Sequence, residues 1–145
     1  MEAKVTWKKA MSFDGSAGSG FVVPIDTSVE QGGSNSGFRP MELILTGLTG
    51  CTALDVFSIL MKKQQDVTQF EVFAEAERAP VHPRVFTRIE VHFVVTGHHI
   101  DPEAVDRAIE LSSNMYCSAQ AMLKGVVPIH IRRTIKEEEK TSLSS

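Results

Sequence analysis

The chain has 145 residues, of which 42% are hydrophobic and 23% are charged, and these proportions are ordinary for a soluble globular protein. The formal net charge of -3 and the single tryptophan and tyrosine argue against a basic or base-stacking nucleic-acid surface. The N-terminus, MEAKVTWKKA, lacks the apolar core of a signal peptide. We therefore expect a cytoplasmic protein whose two cysteines are reduced.

The first part of the chain predicts two short strands separated by flexible segments. Residues 4–8 alternate weakly in hydropathy, and residues 21–25 form an apolar run that Pro24 restricts to the edge of a sheet. Residues 14–20 (DGSAGSG) are a turn by composition. The loop at residues 31–37 is glycine-rich and precedes a helix, but it follows no clear buried strand and matches no P-loop.

Residues 39–63, RPMELILTGLTGCTALDVFSILMKK, predict the central helix of the fold. The segment is apolar on almost every side, as is typical of a helix buried in a core or a membrane. Pro40 suits the first helical position. Glu42 and Asp55 argue against a membrane span. Small residues fall mostly along one side and predict a seam where another helix packs closely: Gly47, Gly50, Cys51, Thr52 and Asp55.

The second half predicts a long hairpin, two helical pieces and a last strand. Residues 69–79 and 86–95 alternate around a turn with two prolines, and one face of this hairpin is expected to lie under the apolar helix. Residues 101–111 begin with Asp-Pro-Glu, a typical helix start. After a break at residues 112–114, a second helical piece covers residues 115–124, with Gly125 as its C-terminal cap, and a last strand covers residues 127–135.

The order of these elements, β-β-α-β-β-α-α-β, predicts an α+β fold with a mostly antiparallel sheet and helices packed on it. We expect a single domain over residues 1–135. Residues 136–145 (KEEEKTSLSS) are expected to be a charged, frayed tail.

Cys51 and Cys117 are the candidate reactive groups. Cys117 falls in the first turn of its predicted helix, where unpaired N–H groups and the helix dipole favour a thiolate. Cys51 lies in mid-helix with Asp55 one turn later, and a nearby carboxylate disfavours a thiolate unless a cation intervenes. From the residues alone, Cys117 is the readier nucleophile, and the alternative for Cys51 is a small apolar side chain that only fills the core.

Other catalytic patterns find no support in the sequence. The five histidines fall in predicted strands and turns, and no CxxC or HExxH spacing is present, so we expect no metal and no bound cofactor. No serine lies in a GxSxG pattern, which argues against a hydrolase of that class.

The sequence resembles the OsmC/Ohr family in three short motifs: PMEL at residues 40–43, TGCT at 49–52 and MYCS at 115–118. The form of the helix is closer to the less-characterised OsmC-like branch of that family. The resemblance covers nearly the whole chain, residues 4–135. It implies an OsmC-like fold, in which the sheet wraps a central buried helix within an intertwined homodimer. It also implies a thiol peroxidase for organic hydroperoxides, with Cys51 as the peroxidatic thiol, Cys117 as the resolving thiol and an external dithiol, such as a lipoylated protein, as reductant.

In the peroxidase branches of the family, two charged residues support the thiolate of the peroxidatic cysteine. This sequence departs from those branches at both positions. Those branches carry an arginine on an N-terminal segment, whereas residues 7–13 offer two lysines and no arginine. Those branches have glutamate directly after the helix-start proline, whereas this chain has Met41, and Glu42 comes one residue later. Arg39 and Glu42 form the candidate substitute pair, at about 18 Å and about 13.5 Å from Cys51 along the helix axis, so only a partner whose helix crosses antiparallel can bring them to a thiol.

Two classes of function follow from these residues. The first is a homodimeric hydroperoxide reductase in oxidative-stress defence, which the retained cysteine pair favours. The second is a non-catalytic binding protein for a small apolar or thiol ligand, which the missing arginine and Met41 favour. An inert structural dimer, in which Arg39 and Glu42 are only helix-end charges, is the third alternative. None of the three involves nucleic acid or a membrane.

Overall fold

The computed structural model describes residues 1–139, which form two compact units: Met1–Leu45 and a second unit that begins at Thr46. The predicted α+β class is confirmed, with two three-stranded sheets and a central helix. The single domain predicted over residues 1–135 stays a prediction, and the two units are described in turn.

The first unit contains an antiparallel sheet of three strands, β1 (Ala3–Lys9), β2 (Ser12–Ala17) and β3 (Val22–Ile25), in that order. The sequence predicts a turn over residues 14–20, and this is wrong for residues 14–17, which belong to β2. The reason lies in Gly15, because a Cβ atom there would come within 3.0 Å of Ile25 Cδ1. Glycine is typical of turns, but at residue 15 its small size leaves room for the side chain of Ile25 on the neighbouring strand.

The loop between β3 and the central helix is organised around the carboxylate of Asp26. This residue is only 2% exposed and accepts hydrogen bonds from Thr27 N at 2.7 Å and from Ser34 N and Ser36 N, each at 3.1 Å. The Ser36 hydroxyl donates a fourth at 2.6 Å. A glycine-rich loop before a helix can bind phosphate through its backbone N–H groups. In this loop, N–H groups instead bind a carboxylate of the chain itself.

Acid is expected to loosen this loop. The Ser36 hydroxyl and the Thr27 N–H lower the pKa of Asp26 from 3.8 to about 2. A carboxyl group with a depressed folded-state pKa stabilises the fold fully above its unfolded pKa, and that stabilisation is lost as the pH falls from 3.8 towards 2. We predict that native protein melts at a higher temperature than Asp26→Asn at neutral pH, and that the difference shrinks through this acid window.

The measurement is thermal unfolding of both proteins across the acid range, with Asp14→Asn as the matched control. Asp14 makes a surface ion pair with Lys8 at 3.3 Å, with both side chains partly exposed, so its removal should have little effect. A melting-temperature difference for Asp26→Asn that does not change with pH would contradict the prediction.

The central helix, α1 (Pro40–Lys62), begins at the predicted proline. The prediction of a helix buried on all sides is wrong within one chain, because burial is confined to a stripe at four-residue spacing: Leu48, Thr52, Val56 and Leu60. Leu54 is 76% exposed, and Phe57 and Met61 are about 40% exposed. By length and hydropathy alone the helix also fits a membrane span, a test that core helices of soluble proteins pass as well.

The second unit confirms the predicted long hairpin. Strands β4 (Asp66–Arg78) and β5 (Phe86–His98) pair antiparallel, with Val72 opposite Phe93. The covered face of β5 is fully buried at every position the alternation predicts: Ile89, Val91, Phe93 and Val95. Phe70 of β4 lies between Phe57 and Phe93, with ring centroids 5.6 Å and 6.4 Å away.

The last strand, β6 (Ile129–Glu137), lies beside β5 and parallel to it, whereas the other paired strands of the two sheets are antiparallel. Two helices connect β5 to β6, and such a crossover returns the chain in the same direction. The strand includes Lys136 and Glu137, which the sequence assigns to the tail. The tail from residue 140 onwards lies outside the described residues.

The connection between β5 and β6 contains α2 (Pro102–Leu111) and α3 (Ser118–Leu123). The start of α2 is confirmed, because Asp101 caps it by accepting from Glu103 N at 3.0 Å. The predicted break is a wide helical turn over Ser112–Tyr116. The predicted cap at Gly125 is wrong, since Lys124 caps α3 in an ordinary right-handed conformation and Gly125 does not adopt positive φ.

Candidate redox site

The second unit brings both cysteines and one carboxylate together. The sulfur atoms of Cys51 and Cys117 and a carboxylate oxygen of Asp55 all lie within 4.8 Å of one another. Cys51 and Asp55 are half-buried, whereas Cys117 is only 3% exposed. Two of the four predicted site residues therefore meet, although they are far apart in sequence.

The wide turn after α2 places Cys117 at this point. It ends at Cys117, whose backbone is extended (φ -76, ψ 104) and which caps α3. Its sulfur accepts a hydrogen bond from Gln120 N at 3.4 Å. The sequence placed Cys117 inside the first turn of a helix, whereas the structure places it at the cap, so the sulfur itself receives a backbone N–H.

A buried polar pair completes the surroundings of Cys117. Thr52 Oγ1 lies 3.4 Å from Cys117 Sγ, and Gln120 Nε2 donates to Thr52 Oγ1 at 3.1 Å. Thr52 is fully buried and Gln120 is 3% exposed. The Thr52 hydroxyl has one hydrogen and two acceptor sites, so it can accept from the amide of Gln120 and donate its O–H to the sulfur at the same time.

These groups act on Cys117 in opposite directions. Burial raises the pKa of the Cys117 thiol, the Thr52 hydroxyl and the Gln120 N–H lower it, and the neighbouring Cys51 raises it. The net direction is upward. Helix position alone predicts that Cys117 is the readier nucleophile. Desolvation outweighs the donors that the helix start supplies and acts against this prediction, which stays a prediction.

Thr52→Val should make Cys117 less reactive. Valine keeps the shape of threonine but removes the hydroxyl donor, and a hydrogen bond to a charged group is worth about 1.5–3 kcal/mol. We predict that alkylation of Cys117 at neutral pH slows by about tenfold or more, because less thiolate is present. Thr46→Val is the matched control, since Thr46 lies on the same helix and is exposed.

The alkylation would be followed by mass spectrometry of the peptide that contains Cys117, over a series of pH values. The expected signature is a rate profile shifted to higher pH in Thr52→Val and unchanged in Thr46→Val. Equal shifts in the two variants, or none in either, would show that the hydroxyl does not act on the sulfur.

Asp55 is held by the same wide turn. The Ser112 hydroxyl donates to Asp55 Oδ2 at 3.2 Å, and Ser112 is 1% exposed. Within residues 1–139, no lysine, arginine or histidine lies within ion-pair distance of this carboxylate. The site therefore contains an acid and two thiols, and no cation of the described chain forms an ion pair with the acid.

Arg39 and Glu42 interact with their own segment. Glu42 Oε1 accepts from Arg39 N at 2.7 Å, which is a capping interaction at the start of α1. The Arg39 guanidinium donates to Gly37 O at 3.1 Å and to Asn35 Oδ1. The two side chains form no ion pair with each other in the described chain. Their action on a partner's thiol stays a prediction.

Three residues of this site were missed from the sequence as neighbours of the thiols: Thr52 as a donor, Ser112 and Gln120. Thr52 carried a signal, since it follows Cys51 and belongs to the predicted seam of small residues. Ser112 and Gln120 carried none, because their approach to α1 depends on the wide turn after α2.

The sequence and the fold are similar to those of known proteins. The sequence matches the family model described as OsmC-like protein over residues 33–132. Protein YhfA of Escherichia coli strain K12 is 42% identical over 132 residues, which cover 89% of this chain and 93% of YhfA. An OsmC-like protein from Mycoplasma pneumoniae has a similar crystal structure, with TM-score 0.79, 16% identity and coverage of 93% of this chain and 96% of that one.

A further crystal structure of similar fold is that of an organic hydroperoxide resistance protein from Elizabethkingia anophelis. Its TM-score is 0.64 at 16% identity, and the match covers 94% of each chain. At these identities the two structures establish a shared fold.

Proposed function

Since the chain belongs to the OsmC-like family, we propose that it reduces organic hydroperoxides through a Cys51/Cys117 disulfide cycle and serves in oxidative-stress defence. The observation that carries this proposal is the approach of the two sulfurs within 4.8 Å, from α1 and from the cap of α3. The fold shared with a protein named for organic hydroperoxide resistance supports it.

The cycle balances with two thiols and one external dithiol. The Cys51 thiolate attacks the outer oxygen of the hydroperoxide, the O–O bond breaks, and the alkoxide leaves and takes up a proton as an alcohol. Cys51 is then a sulfenic acid. The Cys117 sulfur attacks the sulfenic sulfur, the disulfide forms, and the oxygen leaves as water. Exchange with a dithiol restores both thiols and oxidises the dithiol to its own disulfide.

The difference in burial supports this order of attack. Cys51 is half-buried, whereas Cys117 is 3% exposed and burial raises the pKa of its thiol. A resolving thiol need not meet the substrate, because it attacks a sulfur that is already its neighbour. The assignment that the family resemblance implies is therefore also the one that exposure favours.

The exposed side of α1 supports a homodimer. Leu54, Phe57 and Met61 place large apolar side chains on the surface of the chain, and exposed apolar patches mark sites of association. We expect a second copy of the chain to cover this side in the cytoplasm. We also expect these apolar side chains to favour organic hydroperoxides over hydrogen peroxide. Arg39 and Glu42 of that copy remain the predicted substitutes for the missing N-terminal arginine.

The proposal is tested by turnover with a dithiol reductant, comparing cumene hydroperoxide with hydrogen peroxide. We expect consumption of the reductant to saturate with the organic substrate and to be faster than with hydrogen peroxide. Reductant consumption in the native protein no faster than in Cys51→Ser would contradict the proposal.

The binding-protein alternative is favoured by one specific observation. Residues 7–13 carry no arginine, and Lys8 is already paired with Asp14 at 3.3 Å. A ligand that raises the melting temperature of native protein and of Cys51→Ser equally, while hydroperoxide leaves the thiols intact, would favour this alternative.

A further inference from the structure

The groups around Cys51 form a donor set that the peroxide cycle does not fully use. The two sulfurs and a carboxylate oxygen of Asp55 lie within 4.8 Å of one another, and Asp55 has no part in the sulfur chemistry. In tetrahedral zinc sites, with Zn–S near 2.3 Å, two thiolate ligands lie about 3.8 Å apart. Side-chain rotation that closes the set by about 1 Å at most would therefore enclose one ion.

We propose that the reduced site binds one thiophilic divalent cation, such as zinc(II), through Cys51, Cys117 and Asp55. Two thiolates and one carboxylate are a ligand set that selects soft or borderline metals. Three protein ligands leave a fourth position for water. The cation also supplies the positive charge that the described chain does not place beside the half-buried Asp55.

A hydrogen bond orients the carboxylate for this role. Ser112 is buried and donates its hydroxyl to Asp55 Oδ2 at 3.2 Å, which restrains the carboxylate beside the sulfurs. Hydrogen bonds of this kind fix the direction of a metal ligand and contribute to affinity. No metal-binding pattern is visible in the sequence, because the donors come from α1 and from the residue that caps α3.

Binding involves proton release and no oxidation. Each thiol gives its proton to solvent as its sulfur–metal bond forms, so affinity rises with pH. A Cys51–Cys117 disulfide leaves neither sulfur as a thiolate, and the oxidised protein therefore does not bind the cation. The inference depends on the same two sulfurs as the proposed function, but it requires no hydroperoxide reactivity.

The test is a titration of reduced, full-length protein with cadmium(II), followed by the ultraviolet sulfur-to-cadmium charge-transfer absorption. Zinc(II) affinity is measured by competition with a chromophoric chelator. We expect saturation at one cation per chain, and affinity at least about tenfold weaker in Cys51→Ser and in Cys117→Ser. The charge-transfer band should fall to about half in each variant, because one thiolate remains.

Two matched pairs keep the test specific. Asp55→Asn should bind zinc(II) about tenfold more weakly, and Asp66→Asn, an exposed aspartate on β4, should bind it like the native protein. Ser112→Ala should weaken binding, whereas Ser113→Ala should not, because the buried Ser113 hydroxyl has no hydrogen-bond partner within residues 1–139. Far-ultraviolet circular dichroism establishes that each variant is folded.

Absence of saturable cadmium binding would overturn the proposal, and so would native affinity in either cysteine variant or in Asp55→Asn. None of these readouts uses a hydroperoxide. If the protein fails the turnover test but binds the cation, the metal-site inference stands and the proposed function does not. If the protein turns over but does not bind the cation, only the metal-site inference is refuted.

Discussion

Cys117→Ser is expected to stop the cycle after its first chemical step. The remaining Cys51 loses its thiol to one equivalent of organic hydroperoxide and gains one oxygen atom, and no disulfide forms within the chain. Turnover with a dithiol that relies on this disulfide should fall to the uncatalysed rate. Mass spectrometry of the peptide that contains Cys51 measures the added oxygen, and a dimedone-type reagent identifies the sulfenic acid.

Cys51→Ser is the complementary variant. Its Cys117 is buried, and burial raises the pKa of its thiol, so we expect no loss of thiol on the same timescale. Oxidation of Cys117 in this variant, together with an intact Cys51 in Cys117→Ser, would reverse the two roles. That outcome would restore the order that helix position alone favoured.

Gly97→Ala is expected to produce the largest loss of stability. A Cβ atom at residue 97 would lie 2.1 Å from the backbone oxygen of Asp66 and 2.7 Å from Ile100 Cδ1. The oxygen belongs to the opposite strand of the hairpin, so the strands must separate locally. Overpacking of this kind costs about 1–3 kcal/mol, and a clash with backbone belongs at the upper end of that range.

The measurement is chemical denaturation at fixed protein concentration, since a dimer makes the midpoint concentration-dependent. Gly125→Ala is the matched control, because no atom lies within 4 Å of a Cβ placed there and its backbone conformation is ordinary. We expect the control to change the free energy of unfolding by no more than about 0.5 kcal/mol. Equal stability of the two variants would mean that β4 and β5 do not pair in this register.

The parts of the fold that follow from local periodicity were predictable from sequence. The covered face of β5 and the capped start of α2 follow from strict alternation and from Asp101-Pro102-Glu103. Such patterns are set by burial and capping within one element.

The parts that depend on distant packing were not predictable. Strand β2 was missed because its glycine looks like a turn residue, and the contact between Gly15 and Ile25 of the neighbouring strand exists only in the folded sheet. The exposed side of α1 was missed because apolar composition does not show which side of a helix packs against the rest of its own chain.

The same distinction applies to the candidate site: the types of its main residues were predictable from the sequence, and the contacts around them were not. The two cysteines stood out by residue type and by family resemblance, and the fold brings them together. Burial raises the pKa of Cys117 and the contacts from Thr52 and Gln120 lower it, and only the folded chain assembles these surroundings. Arg39 and Glu42 were chosen by analogy with other branches, and in the described chain they interact with the start of α1.

The most direct test of the central claim is a count of free thiols in the native, reduced protein after one equivalent of organic hydroperoxide is added. We predict that both thiols disappear within seconds and that peptide mapping finds one disulfide between Cys51 and Cys117 of the same chain. Survival of both thiols for minutes would contradict the peroxidase account and would leave the site as one for binding.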